Sequence, residues 1–167
     1  MKEVLTIGFV ATAISPYFSE EQQVRIKSEN HLKKIIAEYD AKLICFHKTI
    51  FSKEDSEEAE KFFKNKIDFL ILQTSSCSSG EQLYPLCNIT NKMGLWAVPD
   101  LEKEGDVKLH SLVSVSHYLG IIKKILHEKK IKTKWFYNYG DTDEFKNKFL
   151  ITLRSLVADK KIKKSKI

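Results

Sequence analysis

The chain has 167 residues, 43% hydrophobic and 30% charged, with 28 Lys and Arg against 22 Asp and Glu. That is the size and balance of one globular, soluble domain with a full core. No apolar run reaches the ~18 residues that a membrane-spanning helix needs, so no membrane partner is expected.

The elements follow in order. Met1 to Ser15 has the outline of a signal peptide ending in Ala11-x-Ala13, but Glu3 sits in its leading region and Thr6 and Gly8 interrupt it. Val4 to Thr12, β-branched and apolar, reads instead as the first strand. Ser19-x-x-Gln22 has capping-box spacing, and Val24, His31, Leu32, Ile35, Ile36 and Tyr39 then recur at helical intervals. Lys42 to Thr49 is a second strand. Ser52 caps a charged helix whose apolar face holds Ala59, Phe62 and Phe63. Asp68 to Ser75 is a third strand, the most continuously apolar. Ser78-x-x-Glu81 is expected to cap a helix through Leu83, Leu86 and Ile89. Leu95 to Val98 is a short fourth strand stopped by Pro99. After the polar stretch EKEGDVKLHS, a helix is expected from Ser114 or Ser116, with Leu119, Ile122, Ile125 and Leu126 on one face. Lys132 to Tyr139 is a fifth strand. Asp141-x-x-Glu144 opens the last helix, striped by Phe145, Phe149, Leu153, Leu156 and Val157.

Strands alternating with helices imply βαβ units and a parallel sheet covered on both faces. The expected fold is α/β, a flavodoxin-like doubly wound five-stranded sheet in a single domain spanning 1–167. In such a sheet ligands sit outside the carboxyl ends of the strands, near a switch in strand order. The positions to examine are therefore 11–18, 49–53, 74–80, 99–104 and 139–142.

Those loops exclude the common cofactor uses of the fold. ATAISPYF, after strand one, lacks the glycines of a flavin phosphate loop. Ala11, Thr12, Thr74 and Ser75 stand where a receiver domain needs carboxylates. There is no GxGxxG or Walker motif. Cys77 has Leu83 six residues on, where a cysteine phosphatase has its phosphate-binding arginine, and no neighbouring histidine as base. A small, partly buried thiol in a tight turn is the simpler reading, while the serines and Gly80 around it have the chemistry to cradle an anion or sugar hydroxyls.

The five histidines, His31, His47, His110, His117 and His127, form no HxxxH or HExxH arrangement. His31 and His127 read as surface or flanking residues of helices; His110 and His117 bracket a strand end and a helix start and are placed to face the ligand edge. No loop supplies the clustered carboxylates of a hard-metal site. The three cysteines, Cys45, Cys77 and Cys87, are odd in number and lack a CxxC, which fits a reduced, cytoplasmic chain. Much of the net charge of +6 lies in KKIKKSKI, residues 160–167. That run reads as a solvated helix end, and with no zinc-finger or RNA-recognition motif beside it no nucleic-acid partner is expected.

Several blocks together resemble the N-terminal region of the L-fucose/L-arabinose isomerase-like family. They are FVATAISPYFSEEQ, IDFLILQTSSCSSGEQ with GLWAVPD, LHSLVSVSHYLGIIKKI, and KTKWFYNYGDTDEFKNKFLITLRSLVADKKIKKSKI, which cover nearly the whole chain. In that family the last helix leads into a second α/β domain, so the resemblance implies the first domain of a larger sugar isomerase. The family interconverts aldoses and ketoses with a divalent metal, typically manganese. Its metal ligands and acid/base residues lie in later domains and have no counterpart here. The resemblance thus implies no catalytic residue, metal ligand or cofactor in this chain, Mn2+ in a full-length parent, a homo-oligomer, and a sugar shared with a neighbouring subunit. The implied substrate-edge residues are Ser15, Tyr17, Ser75, Ser76, Cys77, Ser78 and His117. Two departures leave the sugar open. Ser76 stands where the fucose isomerases carry a stacking tryptophan, and Ala13-Ile14-Ser15 stands where many members carry an arginine.

Two functions follow as expectations. One is a substrate-edge domain of a metal-dependent sugar isomerase, inactive alone. The other is a stand-alone sugar-binding or assembly module. An enzyme using Cys77 directly is disfavoured.

Overall fold

The computed structural model describes residues 4–14, 18–100 and 108–164. Its elements are β1 (Leu5–Thr12), α1 (Phe18–Ala37), β2 (Ala41–Cys45), α2 (Lys53–Phe63), β3 (Phe69–Thr74), α3 (Gly80–Leu86), β4 (Lys92–Ala97), α4 (Ser111–Lys124), a 3-10 turn (His127–Lys129), β5 (Lys132–Tyr137) and α5 (Asp143–Lys164). All strand pairings are parallel, in the order β2-β1-β3-β4-β5. This is the doubly wound, flavodoxin-like α/β sheet expected from the sequence. The middle strand β3 is buried at every residue. A strand covered on both faces has no solvent side, which is why its apolar run does not alternate.

Two cores lie on the two faces. One joins Phe9, Phe69, Ile71, Trp96 and Phe136 to Leu32 and Ile36 of α1 and to Phe145, Phe149 and Leu153 of α5. The other joins Val10, Leu70, Leu72 and Leu95 to Phe63 of α2, Leu83 of α3, and Val115, Tyr118 and Ile122 of α4. Gly94 lets β4 pass between two rings. A Cβ there would come within 2.8 Å of Phe69 and 2.9 Å of Phe136.

Several local expectations need correction. β4 runs over Lys92–Ala97 rather than Leu95 to Val98, because its pairing with β3 and β5 extends back to Met93 and Lys92. α4 begins at Ser111, earlier than Ser114 or Ser116, and its buried face is Ser111, Ser114, Val115, Tyr118, Ile121 and Ile122. Ile125, expected on that face, follows the helix end and is 60% exposed. β2 stops at Cys45, after which irregular chain still follows β1 through Phe46 N–H to Phe9 O (2.9 Å) and Ile50 N–H to Ala11 O (2.8 Å). α5 is capped by Thr142, whose hydroxyl accepts from Phe145 N–H at 3.3 Å, while Glu144 instead accepts from Asn138 Nδ2 at 2.7 Å. The cap at Ser52 is as read, and its box closes on Asp55. The Ser19–Gln22 side chains lie outside the described residues.

Part of the basic C-terminal end is tied to the sheet. Lys160 Nζ bonds Asp68 Oδ2 at 2.7 Å and Val4 O at 3.0 Å, and Lys92 and Lys163 both reach Asp159. These two cations hold the Asp159 carboxyl down to about 2. No helix among the described residues is long and apolar enough to cross a membrane.

Thr49 is buried, and its Oγ1 has no hydrogen-bond partner among the described residues. An unmade bond at a buried hydroxyl is unfavourable, and a shape-matched apolar group removes the penalty. Thr49→Val is expected to raise stability by about 1 kcal/mol, read as a higher urea midpoint with unchanged slope. A lower midpoint would show that the hydroxyl is satisfied in solution.

Candidate functional site at the carboxyl edge of the sheet

β1 sits between β2 and β3, so the chain reverses direction of travel across the sheet at the β1–β3 pair. The loops leaving these two strands flank the edge where doubly wound folds place ligands. Ser75 to Ser79 form one wall there, directly after β3.

The wall is a closed hydrogen-bond web. Ser75 N–H continues the ladder to Thr12 O at 2.8 Å, and Ser75 Oγ donates to Gln73 Oε1 at 3.1 Å. Ser76 Oγ accepts from Ile14 N–H at 3.3 Å, binding the loop after β3 to the loop after β1. Ser78 N–H donates to Ser114 Oγ at 2.8 Å, and Ser78 Oγ bonds Thr12 Oγ1 at 3.0 Å and Ser76 O at 3.2 Å. Ser111 Oγ accepts from Val98 N–H at 2.9 Å and donates to Thr74 O.

Gln82 is the hub. Its Nε2 donates to Ala13 O at 2.8 Å and its Oε1 accepts from Ser79 N–H at 3.0 Å, so one buried amide joins the loop after β1 to the start of α3. Tyr118 Oη lies 3.4 Å from Gln82 Oε1 and 3.5 Å from Thr12 Oγ1. Burial pushes the Tyr118 hydroxyl up to about 12, so it stays protonated and donates.

This geometry corrects the expected cap. Ser78 does not cap α3: the N-cap is Ser79 and its partner is Gln82, one residue later than the Ser78-x-x-Glu81 spacing suggested. Ser78 is drawn inward because its hydroxyl ties β1 to the loop. Ser78→Ala therefore removes a strand-to-loop tie, and is expected to lower stability by about 1 kcal/mol in thermal or urea unfolding. An unchanged midpoint would mean the tie is idle.

The proposed edge residues thus divide. Ser75, Ser76 and Ser78 are buried and used internally. Cys77 is half-buried, Ser79 and His117 are exposed, and the His117 ring lies beside Gly80, 3.7 Å from where a Cβ would stand. Ser15 and Tyr17 lie outside the described residues. The surface offered to a ligand from this wall is accordingly Cys77, Ser79, Gly80 and His117. His110 is exposed nearby, with its N–H on Asp100 Oδ1 at 3.0 Å. His47 pairs with Glu58 at 3.5 Å, His127 lies in the 3-10 turn, and His31 is half-buried against Gly140.

Gln82, Thr12, Ser111, Ser114 and Tyr118 were not singled out from the sequence as site residues. One signal was present: Ser111, Ser114 and Tyr118 repeat at three- and four-residue spacing, a polar stripe on an otherwise apolar helix face. Cys45 and Cys87 are both pushed up to about 12, chiefly by burial, so neither thiol ionises near neutrality. Among the described residues no group of three His, Cys, Asp or Glu side chains is placed to hold a metal.

No protein-family model matches the chain, and no curated protein matches it.

Proposed function

We propose that this chain is a substrate-edge domain of a metal-dependent aldose–ketose isomerase, of the fucose/arabinose-like kind that its sequence blocks resemble. One observation supports this reading above the others. The edge at the strand-order switch has a wall whose hydroxyls are committed to internal bonds, leaving a firm surface of small groups and one imidazole. Such a wall shapes and orients a polyol. Among the described residues the Cys77 thiol has no hydrogen-bonded base beside it. In this reading the metal, expected to be Mn2+, and the proton-transferring groups come from further domains or a neighbouring copy in a homo-oligomer. The three free cysteines fit a reducing, cytoplasmic setting.

The purified chain is expected not to isomerise L-fucose or L-arabinose with Mn2+ present. Metal catalysis needs a cage that orients substrate oxygens and generates a base. Turnover that rises with manganese and vanishes with chelator would overturn the proposal. In an assembled, active protein Cys77→Ser is expected to keep most of the activity, because a wall thiol tolerates a near-isosteric hydroxyl. A loss of about a thousandfold with unchanged unfolding would make the thiol a nucleophile. A second reading, a stand-alone sugar-binding or assembly module, draws support from the two cores closing both faces of the sheet within this chain. Saturable sugar binding by the chain alone, without any catalytic partner, would favour it.

A further inference from the structure

Beside α1, at the far end of the Ser75–Gln73 link from the hydroxyl web, α1 and the loop after β5 border a cavity of about 320 Å³, lined among others by Lys27, Ser28, His31, Tyr139, Gly140 and Asp141. The loop after β5 lies close against α1 beside it. Gly140 is buried, and a Cβ on it would come within 2.8 Å of His31 Cβ.

Ser28 is 3% exposed, and its hydroxyl is committed on one side only. Ser75 Oγ donates to Gln73 Oε1, and Gln73 Nε2 donates to Ser28 Oγ. Ser28 is thus the acceptor at the end of a directional chain, and its own proton has no acceptor among the described residues. Other helical serines, Ser116 and Ser155, return that proton to the carbonyl four residues back, at 3.0 Å and 2.8 Å. Ser28 does not. A buried O–H in the wall of a cavity is a donor awaiting an acceptor.

Two unpartnered charges of opposite sign share the same cavity. Lys27 and Asp141 are both exposed, and among the described residues neither forms an ion pair, with the other or with a third group. They line one space without closing on each other. A simple anion placed there would meet Asp141, and a simple cation would meet Lys27. A neutral polyol would satisfy Ser28 but neutralise neither charge.

We infer that this cavity is a binding site for a small ammonium carboxylate, such as an α-amino acid. The carboxylate accepts from Ser28 O–H and pairs with Lys27, and the ammonium pairs with Asp141. Val24 and the Tyr139 ring supply the apolar wall against which a short side chain rests. The site shares one hydrogen-bond chain, Ser75–Gln73–Ser28, with the wall after β3, but its argument does not rest on the proposed function.

The test is amide-resolved NMR of the full chain, titrated with glycine, L-alanine and L-serine to about 20 mM, a range suited to ligands of so few atoms. Acetate, methylammonium and ribitol are titrated in parallel. At least one amino acid should produce saturable shifts at the Ser28, Gly140 and Asp141 amides. Acetate, methylammonium and ribitol should each bind about tenfold more weakly or not at all. Lys27→Met and Asp141→Asn, both at exposed positions and read for fold by the dispersion of the same spectra, should each weaken binding about tenfold. The inference is overturned if none of the three amino acids shifts these amides, if acetate or ribitol binds as tightly, or if both variants bind as the parent does.

Discussion

Trp96→Ala is expected to destabilise the chain by about 4 kcal/mol, the largest effect of any single truncation considered for this fold. Trp96 is fully buried at the carboxyl half of β4, with its ring stacked on Phe145 at 4.3 Å and tilted against Phe9 at 6.4 Å. It therefore links β4, β1 and α5 across one core. Its Nε1 donates to Asn138 O at 2.8 Å, and Asn138 has φ 100°, a left-handed conformation that asparagine tolerates better than most residues. Truncation opens a cavity and also frees the turn that leads from β5 into α5. A domain of this kind has only about 5–15 kcal/mol in hand, so the variant should unfold at a markedly lower temperature. Trp96→Phe separates the two contributions. It keeps most of the packing and loses the N–H bond, for an expected loss of about 1–2 kcal/mol. If Trp96→Ala lost less than about 1 kcal/mol, the packing of α5 on this face would be wrong.

The second large effect is at Gln82. Gln82→Leu is close in volume, so its consequence is polar. Ala13 O loses its partner in a place that water does not reach, and Ser79 N–H, at an exposed residue, loses its cap. A buried group left unpaired costs about 1–3 kcal/mol and a lost cap about 1 kcal/mol, so the total expected loss is about 3 kcal/mol. Glu81 beside it is exposed and takes no part in the cap. Glu81→Ala should change stability by less than about 0.5 kcal/mol. The pair discriminates sharply, since the Ser78-x-x-Glu81 reading assigns the larger effect to Glu81. Chemical denaturation of both variants decides between them.

The architecture was legible because its signals are long and redundant. β3 shows its central place through four consecutive apolar residues, Phe69 to Leu72, without alternation, and α5 shows its buried stripe in Phe145, Phe149 and Leu153. Both follow from burial, which acts on whole segments. The site was less legible because it depends on single hydrogen bonds. TSSCSSGEQ offers two serines, each followed three residues later by a residue able to close a box, and spacing alone does not choose between them. Tertiary structure chooses: Thr12 and Ser114 take Ser78 inward, and Gln82 rather than Glu81 faces the buried side. The same cause misplaced the start of α4. Ser114 and Ser116 are plausible caps by residue type, but Ser111 is held at Thr74 and Val98 across the sheet edge, and the helix begins there. Ser75, Ser76 and Ser78 were rightly placed at the carboxyl edge of β3. Their hydroxyls being turned inward could not be read, since it requires the partners from β1, α3 and α4.

The central structural claim is that the wall after β3 is built before any ligand arrives. Hydrogen exchange at the Ser75, Ser78 and Ser79 amides of the unliganded chain tests it most directly. These N–H groups are bonded to Thr12 O, Ser114 Oγ and Gln82 Oε1 at 2.8, 2.8 and 3.0 Å. The account predicts that they are protected to nearly the same extent as the amides of β3, and that Gln82→Leu removes the protection at Ser79 first. Exchange of all three at the rate of an open loop, with β3 still protected, would contradict it.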